Sequence, residues 1–156
     1  MAGSCRFAFA VHALAMLAAH PDRKVTSEEI ARSVNTHAVV IRRLMAALRQ
    51  AGLITTGQGP GRGSALTRAP RAISLAALYR AVKVSPTFAM HPHAPNRRCP
   101  VGRNIQAVLA EVALDSEEAL ERALAKRSIA DVVGRVRAGR PQSKIGASRR
   151  GARKTG

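Results

Sequence analysis

Tryptophan is absent from the 156 residues and tyrosine occurs once, so aromatic side chains make up only 3% of the chain. A core must therefore be assembled from Leu, Val, Ile and Ala, and the abundance of Ala and Leu favours helix. Cysteine occurs twice, at Cys5 and Cys99. That is too few for a disulfide scaffold and suits a reducing compartment, so a cytoplasmic location is expected. No apolar run approaches the roughly 20 residues of a membrane span. Residues 7–19 are apolar and follow Arg6, but His12 interrupts them, which argues against a signal peptide. Acid is scarce: nine Asp and Glu stand against 26 Lys and Arg, a formal net charge of +17. No acid lies between Ile30 and Ala110, while cations recur from Arg32 to Arg103. A solvated surface ordinarily mixes both signs, so a one-signed span implies a polyanionic partner. There is no Gly-rich phosphate loop leading into a helix, no carboxylate pair in the basic half and no Ser-His-Asp pattern. An enzyme is not expected.

What is present is organised around residues 25–53, which read as two short helices joined by a tight corner. Thr26 or Ser27 caps the first helix, and Glu28 and Glu29 suit the positive end of its dipole. Ile30, Ala31 and Val34 point inward. Asn35 and Thr36 make the corner. The second helix runs from about His37 to Ala51, with Val40, Leu44, Ala47 and Leu48 at the spacing of one buried face. Gly52 stands where a left-handed residue ends a helix. The other face carries His37, Arg42, Arg43 and Arg49, as a helix-turn-helix recognition element requires. Leu53-Ile54-Thr55-Thr56, a Gly-rich loop bearing Arg62, and Ser64-Ala65-Leu66-Thr67 form a hairpin, or wing. A structural helical pair with a surface hairpin would share these features, apart from the basic front.

Around this unit, Ser4 caps a helix from Cys5 to about Ala19, on which Phe7, Val11, Leu14 and Leu17 recur at helical spacing. Ser74 caps a helix over 75–82, where Tyr79 is expected to pack. Residues 83–98 show no periodicity. Cys99-Pro100 opens a long helix reaching Lys126, since proline suits a first helical position. Its apolar stripe comprises Ile105, Val108, Leu109, Val112, Leu120 and Leu124. One side of it stays exposed unless a second chain covers it. Ser128 caps a last short helix over 129–133. Residues 134–156 hold eight Lys or Arg and no acid, and they read as a disordered basic tail that adds sequence-independent DNA affinity.

The segments TSEEIARSVNTHAVVIRRLMAALRQAGLI, ISLAALYRAV and HPHAPNRRCPVGRNIQAVL resemble the Rrf-two family of bacterial winged-helix transcription regulators, over about residues 3–136. The specific feature is the order: helix, helix-turn-helix, wing, short helix, cysteine loop, long helix. The resemblance implies a mainly α fold with a small β-wing: a DNA-binding domain over 1–82, a sensor-like loop over 83–99 and dimerisation helices over 100–136. It also implies a homodimer on a palindromic operator in double-stranded DNA, with a repressor as the expected role and no membrane partner. Cluster-binding members carry three cysteines in the loop before the long helix. Here there is one, in HPHxPNxxCPVG, so no iron–sulfur cluster or other cofactor is expected.

The candidate DNA contacts are Thr36, His37, Arg42 and Arg43, with Arg62 and Ser64 on the wing and Arg6 near the start of the first helix. Cys99 is the candidate sensor. It stands at the head of a helix beside Arg97, Arg98 and Arg103, an environment that makes a thiol reactive and open to oxidation. A structural cysteine is the alternative, and Cys5 reads as a packing thiol. His91, His93 and Cys99 offer imidazole and thiolate, ligands that zinc or iron would choose, with Asn96 or a partner residue to complete the shell. Prolines beside the histidines equally suit a stiffened loop. Two further readings therefore stay open: a metal-sensing regulator of the same fold, and a basic protein that binds nucleic acid without sequence preference.

Overall fold

The computed structural model describes residues 5–57, 62–83 and 85–139. Six helices and a two-stranded sheet follow in order: α1 (Arg6–Ala19), α2 (Ser27–Val34), α3 (Ala38–Gln50), β1 (Ile54–Thr56), β2 (Ser64–Leu66), α4 (Leu75–Val82), α5 (Pro100–Ala125) and α6 (Ile129–Arg137). The mainly α fold with a small β-wing read from the sequence is the fold found. The proposed Ser4 cap and most of the basic tail lie outside the described residues. Helix α6 runs to Arg137, past the 129–133 expected for it.

The helix-turn-helix is fixed by local chemistry. The Thr26 hydroxyl accepts a hydrogen bond from the Glu29 N–H, and the Glu29 carboxylate accepts from the Thr26 N–H, closing a capping box. Asn35 ends α2 in the left-handed region, at φ 60°, a conformation that Asn tolerates better than most residues. The Thr36 N–H then donates to the Ala31 carbonyl at 2.9 Å. Extended His37 turns the chain into α3.

Ile41, Leu44, Met45 and Leu48 are the buried residues of α3. The expected face is thus rotated: Val40 is exposed and Ile41 takes the inward place. Val39-Val40-Ile41 is a run of like residues, and packing in the shared core decides which of them enters it. Helix α1 lies against α2, α3, α4 and α6. Cys5 precedes its first turn and is exposed, which corrects the packing role expected of it. Tyr79 packs as expected, its ring edge-on to Phe7 at 5.9 Å between centroids.

In the wing, β1 and β2 pair antiparallel, Ile54 opposite Leu66 and Thr56 opposite Ser64. Gly57 N–H donates to the Gly63 carbonyl and closes the hairpin base. Gly63 has φ 57°, and a Cβ there would lie 2.9 Å from both the Lys24 Cβ and the Val25 carbonyl. Val25 and Ser64 exchange two backbone hydrogen bonds, so the wing is tied to the entrance of α2.

Helix α5 is 26 residues long, about 39 Å at the α-helical rise, and buries no residue fully. Its apolar positions divide between two faces. Leu120 and Leu124 are half-buried and Leu124 packs on the core, while Glu117 and Glu121 pair with Lys83 and Arg80 at either end of the α4 contact. Val101, Val108 and Val112 stand more than half exposed on another face. The single stripe expected from the sequence is therefore two stripes, one serving the domain and one left to solvent. After α5 the chain returns to the core: Leu75 N–H donates to Arg127, Ile129 N–H donates to Ile73, and Ile129 is fully buried.

Candidate nucleic-acid interface

The amino end and outward face of α3 gather the main candidates. Thr36 is half-buried in the corner, His37 is the exposed N-cap, and Arg42 and Arg43 are exposed one turn further on. Arg49 extends the same basic face, and Val39 and Val40 lie beside it in solvent. Exposed aliphatic groups among arginines suit a surface that meets thymine methyls as well as phosphates. Helical spacing assigns Val40 to the core, so its place on this face is not legible from periodicity.

Arg42 is not unengaged. Its Nη2 lies 2.6 Å from the Glu28 Oε1, across the helix-turn-helix. The hydrogen bond from Arg42 holds the Glu28 carboxyl below the usual carboxylate range. Glu29 is also depressed, by the Thr26 backbone N–H first and then by Arg23. Arg43 and Arg49 form no ion pair among the described residues.

The wing candidates separate. Arg62 is exposed at the edge of the hairpin, whose tip, 58–61, lies outside the described residues. Ser64 is buried at 3% exposure and its hydroxyl lies 3.3 Å from the Thr56 Oγ1. This corrects its place among the DNA contacts: its backbone pairs with Val25, and the bridge turns the side chain into the protein. Arg6 is half-buried, and its Nε donates to the Val82 carbonyl at 3.1 Å, tying α1 to α4.

The loop before α5 is ordered by its own turn. Asn96 Oδ1 accepts from the Arg98 N–H at 2.9 Å, and the Asn96 carbonyl accepts from the Cys99 N–H at 3.1 Å. Gly102 lets that turn rest on the helix, since a Cβ there would lie 2.4 Å from the Asn96 carbonyl oxygen. Cys99 is the exposed N-cap of α5, with a free thiol. The Arg103 Nε donates to the Arg97 carbonyl. Nearer the domain, Thr87 bonds both Tyr79 and Glu117, and Lys83 Nζ lies 2.6 Å from the other Glu117 oxygen. Lys83 first and Thr87 second hold the Glu117 carboxyl at about 2, against an ordinary 4.5. This clasp joins α4, the loop and α5, and it is not legible in the sequence because Glu117 lies about thirty residues or more from its three partners.

Comparison with known proteins places this architecture. The chain is 42% identical over 129 residues to YwnA of Bacillus subtilis (strain 168), whose assignment as an HTH-type transcriptional regulator is itself provisional; the match covers 82% of this chain and 94% of that protein. A solved structure with a provisional DNA-binding assignment is 38% identical, with a TM-score of 0.66 over 81% of this chain and 97% of its own. Another, a provisionally assigned transcriptional regulator from Lactobacillus plantarum, is 25% identical, with a TM-score of 0.71 over 85% and 90%. The family model that matches, over residues 4–135, is described as an iron-dependent transcriptional regulator, Rrf2. The residues here do not fit an iron site within one chain. Among the described residues no three His, Cys, Asp or Glu side chains gather to hold a metal ion. His91, His93 and Cys99 do not converge, and the Asn96 side chain is engaged in its turn. No helix among the described residues is long and apolar enough to cross a membrane. With a helix-turn-helix, a wing and a family model spanning nearly all the described chain, the protein belongs to the Rrf2 family of transcriptional regulators, DNA-binding proteins rather than enzymes.

Proposed function

We propose that the protein is a sequence-specific repressor that binds a palindromic operator as a homodimer and responds to thiol oxidation at Cys99, without a resident iron–sulfur cluster. The observation that carries this reading is the pairing of two surfaces on one chain. One is the α3 face with Arg42, Arg43 and Arg49; the other is the valine stripe of α5, more than half exposed at Val101, Val108 and Val112. A monomer gains nothing from such a stripe, whereas a two-fold partner covers it and presents a second α3 to the next half-site. An exposed thiol at the head of that same helix lies where an added charge or a mixed disulfide alters the seam.

The test is selection of bound duplexes from a random pool, followed by competition with unrelated DNA at physiological salt. A palindromic consensus bound at least roughly 10³-fold more tightly than unrelated DNA is expected. Uniform binding to all duplexes would instead favour a protein that coats nucleic acid without preference.

A further inference from the structure

The α3 surface has one carboxylate against it, and the chain places it with care. Every other acid before residue 111 has a different engagement or location: Glu29 closes the capping box and pairs with Arg23, and Asp22 precedes the unit. Glu28 alone reaches across the corner to α3, where it meets a single guanidinium nitrogen of Arg42. The first helix of a helix-turn-helix crosses the DNA backbone, and Glu28 lies in the first turn of that helix. An anion there opposes phosphate.

We propose that Glu28 is a specificity-determining positioning residue, which holds Arg42 by one nitrogen so that its remaining edge is aimed at a base while close phosphate approach is penalised. This rests on the sequence-specific reading above. A guanidinium has five N–H donors in a planar fork. Nη2 carries two hydrogens, one on each bidentate edge of the fork, Nε–Nη2 and Nη1–Nη2; with one of them on Glu28, the other edge stays complete and matches guanine O6 and N7. On unrelated DNA the only exchange open to Arg42 is Glu28 for a phosphate, one anion for another, and it leaves Glu28 unpaired beside like charge. On the operator Arg42 gains a base without giving up its anchor. The pair adds little to folding, because both side chains are substantially exposed, 60% and 48%. Its value lies in discrimination.

The test uses Glu28→Gln and Glu28→Asp in the full chain, with the duplex enriched by the parent and a scrambled duplex of equal length. Glu28→Gln is expected to bind scrambled DNA about three- to tenfold more tightly. Its salt slope on that DNA should steepen by about 0.9, the increment for one more phosphate contact. Operator affinity should not rise, so the specificity ratio falls, while the thermal midpoint stays that of the parent. Glu28→Asp, which keeps the charge, should restore much of the ratio. In an Arg42→Ala background, Glu28→Gln should change the operator-to-scrambled ratio far less, since the partner is gone. A parent with no operator preference overturns the function proposed above and this inference with it. A selective parent whose Glu28→Gln variant keeps the same ratio and salt slope overturns this inference alone.

Discussion

Val112→Asp tests the assembly on which the operator geometry depends. Val112 is 53% exposed in the protomer. Full burial of a valine side chain stabilises by roughly 1.5–3 kcal/mol, so covering the exposed half contributes about 1 kcal/mol per copy. Aspartate forfeits this and sets a carboxylate among valines, at about 1–3 kcal/mol for a polar group without a partner. Two-fold symmetry doubles both effects, for roughly 4–8 kcal/mol in all. At about 1.4 kcal/mol per decade, the dimer dissociation constant rises by roughly 10³-fold or more. Sedimentation equilibrium over a concentration series reads this directly, with far-ultraviolet circular dichroism to verify the helix. Leu114→Asp is the control: Leu114 is also exposed, at 66%, but two residues on it stands on roughly the opposite side of the helix. It should leave the dimer intact. A monomeric parent, or a Val112→Asp variant as dimeric as the Leu114→Asp control, would refute the seam.

Three further outcomes are expected. Arg43→Ala should weaken operator binding and relax preference at one base position, while Arg62→Ala should lower affinity evenly across sequences; fluorescence anisotropy on matched duplexes separates the two. Mild peroxide should release the parent and a Cys5→Ala variant from operator DNA but leave Cys99→Ser bound; unchanged affinity after mass-verified oxidation of Cys99 would end the redox assignment. The Glu117 carboxyl is held at about 2, below its ordinary 4.5, so its stabilisation is present above pH 4.5 and is lost as pH falls through about 2. Between those values the parent should lose stability more steeply than Glu117→Gln, as followed by denaturant midpoints at stepped pH.

Much of this molecule is legible in one dimension because its punctuation is local. Thr26, Asn35, Ser74, Ser128 and the Cys99-Pro100 step each mark an element boundary by chemistry within a few residues. What escaped the sequence depends on contacts across it. Periodicity alone does not set the phase of α3, because three consecutive β-branched residues offer three faces and only the packing of the elements around α3 selects Ile41. Ser64 turns inward because Val25, some forty residues earlier, pairs with its backbone. The stripe of α5 divides because Lys83 and Arg80 on one side draw in Glu117 and Glu121, which turns Val108 and Val112 outward. Of the candidate site, the α3 arginines and Arg62 were readable as a basic front. The carboxylate that steadies Arg42 was read only as a helix-dipole residue.

The stitching of α5 and α6 into the core has a metrical consequence. Because Leu75 and Ile129 bond across to Arg127 and Ile73, the long helix cannot swing on the domain as a free arm; head and rod move together. In the proposed dimer, the distance between recognition helices is then set only by how two rods meet. Sliding the seam by one helical turn displaces a head by about 5.4 Å, and duplex DNA advances about 3.4 Å per base pair. One turn of slip thus corresponds to about one and a half base pairs of spacer. The spacer length of the preferred operator is therefore a ruler laid along the α5 seam, and it reports the register of two protein helices from a DNA sequence alone.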